Sequence, residues 1–142
     1  MKKILVPVDG SEISIRALEV AKTLAQAFGS QIVLISVSGE GLSSEYIGGY
    51  DLQKLIDESK VYAEKNLTQA KATLGDLAAK SETIVKTGDP ANEILDYLDG
   101  SDVDFVVIGS QGLGYSAARR LFVGSVANKV LHGAKQPVLI VK

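Results

Sequence analysis

Short apolar runs alternate with longer amphipathic stretches along all 142 residues of the chain. Four runs are almost continuously apolar and rich in β-branched residues, which is typical of strands buried on both faces: 3–8, 31–37, 104–110 and 137–141. A fifth run, 81–88, alternates between apolar and polar residues, so it predicts a strand nearer an edge of the sheet.

Segments with the periodicity of amphipathic helices lie between these strands. The segment 11–29 carries apolar residues at helical spacing, begins with Ser and ends with Gly, as a capped helix does. Residues 51–80 predict one long amphipathic helix, and 89–100 predicts a helix that opens with Asp-Pro. A last helix is expected from Val126, whereas 38–50, with four glycines and three serines, is expected to be a loop.

The resulting β-α-β-α-β-α-β-α-β order predicts an α/β fold with a single domain over residues 1–142. We expect a doubly wound five-stranded parallel sheet of order 3-2-1-4-5, with helices on both faces. Ligands of such sheets bind beyond the carboxyl ends of the strands, where the strand order switches. Glycines lie at the carboxyl ends of the first, second and fourth strands, at Gly10, Gly39 and Gly109, so the sequence predicts a ligand site there.

The composition is typical of a globular domain and excludes several kinds of site and partner. Hydrophobic residues make up 46% and charged residues 23%, as in ordinary globular domains. A net charge of −2 predicts no general affinity for nucleic acid or for anionic membranes. The absence of cysteine excludes a disulfide framework, a thiolate zinc site and a cysteine nucleophile. No stretch approaches the ~18 apolar residues of a membrane span, so a cytoplasmic location is expected.

Two partial nucleotide motifs overlap in the segment after the fourth strand. The residues GLGYSA at 112–117 match G-x-G-x-x-[GA], but a dinucleotide fingerprint belongs after the first strand and needs an acidic residue at the end of the next. Neither condition holds here, so a flexible glycine loop is the better interpretation. The chain also has no GxxxxGK[ST] phosphate loop.

Four other segments together resemble the universal stress protein family over essentially the whole chain. They are VPVDGS at 6–11, VVIGSQG at 106–112, GSVANKVL at 124–131 and QPVLIVK at 136–142. The family's ATP motif is G-2x-G-9x-G-[ST], which Gly109, Gly112 and Gly124-Ser125 match. Eleven residues rather than nine separate Gly112 from Gly124, and we place the two extra residues near 114–115.

This resemblance implies an ATP-binding protein. The backbone of Val37 would contact the adenine edge, and Asp9 would lie near the ribose and phosphates. Glycines would let the backbone approach a phosphate, helix N–H groups and the Ser125 hydroxyl would bind another, and arginines would add charge. A carboxylate beside a triphosphate needs a hydroxyl or a cation between them, which implies Mg²⁺. The predicted nucleotide-binding residues are Pro7, Val8, Asp9, Val37, Ile108, Gly109, Gly112, Arg119, Arg120, Gly124, Ser125 and Val126.

The sequence leaves alternative roles open for several of these residues and for the protein. Asp9 could cap the helix that follows it, Ser125 could be an N-cap, and one or both arginines could be solvated charges. No nucleophile–base pair and no protein metal site are found, so we expect a non-catalytic protein or, at most, slow ATP hydrolysis. The longer spacing favours an alternative, a dimeric interaction protein that binds no nucleotide. The resemblance implies a homodimer through residues 137–141 in either case.

Overall fold

The computed structural model describes residues 1–42, 51–111 and 122–142. Five parallel strands form one sheet in the order β3-β2-β1-β4-β5, as the sequence predicted. The strands are β1 (Lys3–Pro7), β2 (Gln31–Ser38), β3 (Glu82–Thr87), β4 (Phe105–Gly109) and β5 (Val138–Val141). Strands β3 and β5 lie at the two edges, which explains the alternating pattern of the β3 sequence.

The central strand β1 separates from β4 before it separates from β2. Its pairing with β2 extends to Pro7, opposite Ile35, whereas its pairing with β4 covers only Ile4 and Leu5. The Val8 N–H donates to Ile35 O at 2.8 Å. Because neighbouring residues of a strand direct their backbone groups to opposite sides, Pro7 presents its ring nitrogen toward β4. A residue without an N–H therefore lies where β1 and β4 are no longer paired.

Four α-helices and one 3₁₀ helix connect the strands within the described residues. They are α1 (Glu12–Phe28), α2 (Leu52–Ala72), the 3₁₀ helix Gly75–Lys80, α3 (Pro90–Asp99) and α4 (Ser125–Gly133). The prediction of one helix over 51–80 is therefore wrong at its carboxyl end. The chain leaves the α-helix at Thr73 and passes through Gly75 with a φ of +59°, a conformation that breaks a regular helix.

The helices cover both faces of the sheet, as predicted. On one face, α1 and α2 pack with the side chains of Ile4, Val6, Ile32 and Leu34. On the other face, α3 and α4 pack with Leu5, Val33, Ile35, Val106 and Ile108. Alternate residues of each strand thus face different helix pairs, which accounts for the nearly continuous apolar runs of the central strands.

The helix ends follow the capping residues. The N-caps are Ser11 for α1 and Asp89 for α3, with Pro90 in the first turn, and Gly29 ends α1 with a φ of +67°. The aromatic residue Phe28 is the last residue of α1 and is exposed. Within the described ranges, no helix is both long and apolar enough to cross a membrane.

Candidate functional site

A cleft of about 410 Å³ opens where β1, β2 and β4 end, and helices α1 to α4 all contribute to its walls. Ligands of doubly wound sheets bind at this position. Nine of the twelve predicted site residues line the cleft: Pro7, Val8, Asp9, Val37, Ile108, Gly109, Gly124, Ser125 and Val126. The other three, Gly112, Arg119 and Arg120, lie outside the described residues, as do the two extra loop residues.

The turn after β1 leaves one carboxylate oxygen for the cleft. The Ser11 N–H donates to Asp9 Oδ1 at 2.8 Å, and the Ser14 N–H donates to Ser11 Oγ at 3.2 Å. Ser11 is therefore the N-cap of α1, and Asp9 closes the turn before it instead of capping the helix. Among the described residues no donor contacts Asp9 Oδ2, so this oxygen can accept a hydrogen bond from a ligand.

At the end of β2, the backbone of Val37 faces the cleft side of the sheet. The carbonyl of Ile35 accepts from β1, and the carbonyl of Ser38 accepts from Gly88 on the β3 side. Since alternate strand residues direct both backbone groups to the same neighbour, Val37 points its N–H and C=O toward the β1 side. The β1–β2 pairing has already ended there, so an adjacent donor and acceptor are presented past the end of β1.

The N-terminus of α4 contributes three backbone donors. Gly124 is the N-cap, and its carbonyl accepts the first helical bond, from the Asn128 N–H at 2.9 Å. The N–H groups of Ser125, Val126 and Ala127 therefore have no partner within the helix, and all three residues line the cleft. Ser125 is the first helical residue and not the N-cap. Such a cluster of N–H groups binds anions.

Gly124 itself holds the loop end in place. Its N–H donates to Ser110 O at 2.6 Å, and a Cβ at this position would lie 3.0 Å from that oxygen. The side-chain amide of Gln111 donates to the carbonyl of Phe122 nearby. These bonds join the two chain ends that flank residues 112–121 directly beside the cleft.

Gly109 is a glycine for a reason that the sequence did not reveal. A Cβ at this position would lie 2.7 Å from Ile13 Cγ2 and 3.2 Å from the Ile13 backbone carbonyl, so it would point at α1. Absence of a side chain at Gly109 therefore permits close helix–strand packing. The expectation that this glycine also lets the backbone approach a phosphate stays a prediction.

The α1/α2 side of the cleft carries a polar wall that the sequence did not predict, which we define as Ser36, Tyr62 and Asn66. Ser36 shares a face of β2 with Ile32 and Leu34, which pack against α1 and α2. Serine and asparagine at positions where the strand and helix patterns call for apolar residues were the available signal. Tyr62 is half exposed at the cleft.

Asn66 is the most unusual member of the polar wall. The residue is only 7% exposed, and no described residue forms a hydrogen bond with its side chain. An unpaired buried amide costs about 1–3 kcal/mol of folding stability. The missing Cβ of Gly10, whose φ is +83°, would lie 2.7 Å from Asn66 Oδ1 and 3.2 Å from Tyr62 Oη. The polar wall therefore lies directly against the turn that carries Asp9.

Charges in the cleft are sparse. The described lining contains the carboxylates of Asp9 and Glu40 but no lysine, arginine or histidine. No group of three or more histidine, cysteine, aspartate or glutamate residues that could hold a metal ion occurs in the described part of the chain. Among the described residues, a bound phosphate would therefore find its donors in the α4 N–H groups.

The titratable groups with shifted pKa values lie elsewhere. At the amino end of the sheet, the hydrogen bond between Lys3 Nζ and Asp102 Oδ1, 2.9 Å long, raises the pKa of Lys3 and lowers that of Asp102. Backbone N–H groups lower the pKa of Asp104, and burial raises that of Tyr97. None of these residues lines the cleft, so they take no part in its chemistry.

Comparison with known proteins identifies the family. The profile of the Universal stress protein family matches residues 1–142. The universal stress protein YxiE of Bacillus subtilis is 31% identical over 147 aligned positions, which cover 99% of this chain and 98% of that protein.

Solved structures agree with this match. The structure of MJ0577, a universal stress protein of Methanocaldococcus jannaschii, is 27% identical with a TM-score of 0.84, covering 99% of this chain and 95% of that one. A universal stress protein of Archaeoglobus fulgidus, solved in complex with dAMP, is 25% identical with a TM-score of 0.72, covering 100% of this chain and 98% of that one. The fold, the cleft at the strand ends and these matches agree, and the chain belongs to the universal stress protein family.

Proposed function

We propose that this protein binds ATP in the cleft and acts as a non-catalytic regulatory protein of the stress response. The observation that carries the proposal is the presence of two complementary backbone sites in one cleft. Val37 offers a donor–acceptor pair to a base edge, and the N-terminus of α4 offers three donors to an anion. An adenine nucleotide has both features, and the relative from Archaeoglobus fulgidus was solved with dAMP.

The walls of the cleft suit the rest of the nucleotide. On the α3/α4 side, Ile35, Ile94 and Ala127 provide apolar surface for the base. Asp9 Oδ2 would accept a hydrogen bond from a ribose hydroxyl. The phosphates would meet the N–H groups at Ser125 and Val126, and Gly112, Arg119 and Arg120 would complete this part of the site.

Magnesium fits this arrangement only through the nucleotide. The described lining offers Asp9 and Glu40 as oxygen ligands, too few for a protein-only site. Mg²⁺ is commonly held by one or two carboxylates together with substrate phosphates. We therefore propose that Mg²⁺ enters with ATP and screens the phosphates from the carboxylates.

A regulatory role is proposed because the described lining of the cleft contains no nucleophile paired with a base. This lining also contains no histidine or lysine to act as a base. We also propose that the chain acts as a single cytoplasmic domain and forms a homodimer through edge strand β5, whose unpaired backbone groups a second copy would satisfy. A monomeric mass in solution would contradict the dimer.

Thermal unfolding with and without ATP and Mg²⁺ tests nucleotide binding. At micromolar affinity, millimolar ATP should stabilise the protein by about 4 kcal/mol. No shift, together with no adenine absorbance released from the denatured protein, would favour the dimeric interaction protein that binds no nucleotide. Multiple-turnover phosphate release faster than about 1 per second would contradict the non-catalytic assignment.

Two substitutions at Ser125 localise the phosphates. Ser125→Pro removes one free N–H at the first helical position, where proline is well tolerated, and Gly124 already has the extended ψ of 163° that a preceding residue needs. Loss of a bond to a charged group, about 1.5–3 kcal/mol, should weaken ATP binding roughly 10- to 100-fold without lowering the nucleotide-free melting temperature. Ser125→Ala, which keeps the N–H, is the matched control. Wild-type affinity in Ser125→Pro would refute the placement.

A further inference from the structure

The polar wall formed by Ser36, Tyr62 and Asn66 has no role in the contacts assigned so far. We propose that it is a hydroxyl-recognition subsite, in which the Asn66 amide and the Ser36 hydroxyl bind the sugar hydroxyls of the nucleotide. This inference rests on the proposed function, because the sugar would reach the wall as part of the bound nucleotide.

The burial of Asn66 and Ser36 supports this proposal. Asn66 occupies a helical position next to Leu67 and three residues after Ala63, both of which are buried. A leucine or alanine there would suit a core-facing stripe, whereas asparagine is unfavourable inside a helix and leaves its amide without a partner among the described residues. Ser36 is likewise only 3% exposed, and its hydroxyl has no partner in the described part of the chain. Groups that remain unpaired in the ligand-free protein are available to a ligand.

The position of the polar wall in the cleft also supports this proposal. Asn66 Oδ1 and Tyr62 Oη lie within 3.2 Å of the point where Gly10 would carry a Cβ. Gly10 directly follows Asp9, the residue expected near the ribose. The polar wall thus lies beside that carboxylate and on the opposite face of the sheet from the apolar wall assigned to the base.

The chemistry of the wall determines the class of group that it binds. Amide and hydroxyl groups both donate and accept, which matches a sugar hydroxyl. The wall carries no cation, and its neighbour is the carboxylate of Asp9, so an anionic group would be repelled. A neutral group with hydroxyls is therefore favoured over a phosphate on this side of the cleft.

The test compares ATP with 2′-deoxy-ATP and 3′-deoxy-ATP in the wild type and in Asn66→Leu, by titration calorimetry. Asn66→Leu should bind ATP about 10-fold more weakly than the wild type does. At least one deoxy analogue should bind the wild type more weakly than ATP does, and this difference should become smaller in the variant, where the contact assigned to Asp9 remains. The nucleotide-free melting temperature of Asn66→Leu should equal or exceed that of the wild type, because a buried unpaired amide has been removed.

Control variants distinguish ligand binding by Asn66 from a purely structural role of this residue. Gln69→Leu replaces another amide on α2, exposed and outside the cleft, and should leave ATP affinity unchanged. Asn66→Ala repeats the test if leucine does not fit. Wild-type ATP affinity in folded Asn66 variants, or an undiminished preference for ATP over both analogues, would overturn the inference and leave the proposed function intact. Failure of the wild type to bind ATP would overturn both.

Discussion

The close packing of Gly109 against α1 leads us to expect that this glycine is needed for the stability of the protein. The interpretation of Gly109 as a ligand residue does not predict this. Adding a single methyl group, in Gly109→Ala, should destabilise the protein in the absence of any nucleotide. The new Cβ would lie 2.7 Å from Ile13 Cγ2 and 3.2 Å from the Ile13 carbonyl carbon and oxygen. Carbon atoms pack best at about 3.5–4.0 Å, so α1 or β4 must move.

The expected magnitude follows from two opposing effects. The buried, β-branched side chain of Ile13 has little freedom to move its Cγ2 aside, its backbone atoms have none, and overpacking of this kind costs about 1–3 kcal/mol. Alanine is favoured over glycine within a strand by about 0.5–1 kcal/mol, which offsets part of the loss. We expect a net loss of about 1–2 kcal/mol, or roughly 3–7 °C in melting temperature for a chain of this length.

Urea and thermal unfolding followed by circular dichroism, without nucleotide, measure this loss. Gly100→Ala is the matched control, since Gly100 has a φ of −100° and no atom within 4 Å of its missing Cβ. Its stability should change by no more than about 0.5 kcal/mol. In an Ile13→Ala background, which lacks Cγ2, the effect of Gly109→Ala should shrink, whereas in Ile13→Val, which keeps Cγ2, it should persist.

One result would refute this reasoning. If Gly109→Ala unfolds like the wild type but has lost ATP binding, then the missing side chain matters for the approach of a ligand. The close packing against α1 would then not be what requires a glycine.

Two further predictions concern stability. Asp104 Oδ2 accepts from the N–H groups of Lys3 at 3.0 Å and Lys2 at 2.8 Å, which lowers its pKa from the ordinary 3.8. The Asp104 carboxylate therefore stabilises the folded protein at pH values above its unfolded-state pKa, and this stabilisation is lost as the pH falls through its folded-state pKa. The melting temperatures of wild type and Asp104→Ala should differ at neutral pH and converge below about pH 4. A difference that does not change between pH 2 and 7 would contradict this assignment. Ser11→Ala should cost about 1 kcal/mol in urea titrations by removing the cap of α1, and Ser11→Gly only a few tenths; equal losses would contradict a capping role.

The elements of the fold could be predicted because they depend on local patterns. A buried parallel strand and an amphipathic helix have different periodicities, and Ser11, Gly29 and Pro90 mark helix ends by their own conformational preferences. The end of α2 was missed because its apolar pattern continues to Leu74, which is buried although it lies beyond the helix. Gly75 was the local signal for the break.

The candidate site could be located but not fully described. Glycines at the ends of three strands, together with the family resemblance, pointed to the edge of the sheet where the structure shows a cleft, because the carboxyl ends of parallel strands meet there. Asn66 was missed because it lies far along the chain from Gly10, which it approaches, and Ser36 because nothing local shows what its strand face packs against. Their polarity was visible in the sequence, but their burial was not.

By itself, the sequence determined the order of strands and helices, most helix ends and the family, because these depend on residue types at short separations. Only the tertiary structure decided why Gly109 is a glycine, which backbone groups of Val37 point past the end of β1, and that Asn66 has no partner among the described residues. Each of these depends on the distance between atoms from separate elements. Such distances arise when the helices pack on the sheet, and no local pattern encodes them.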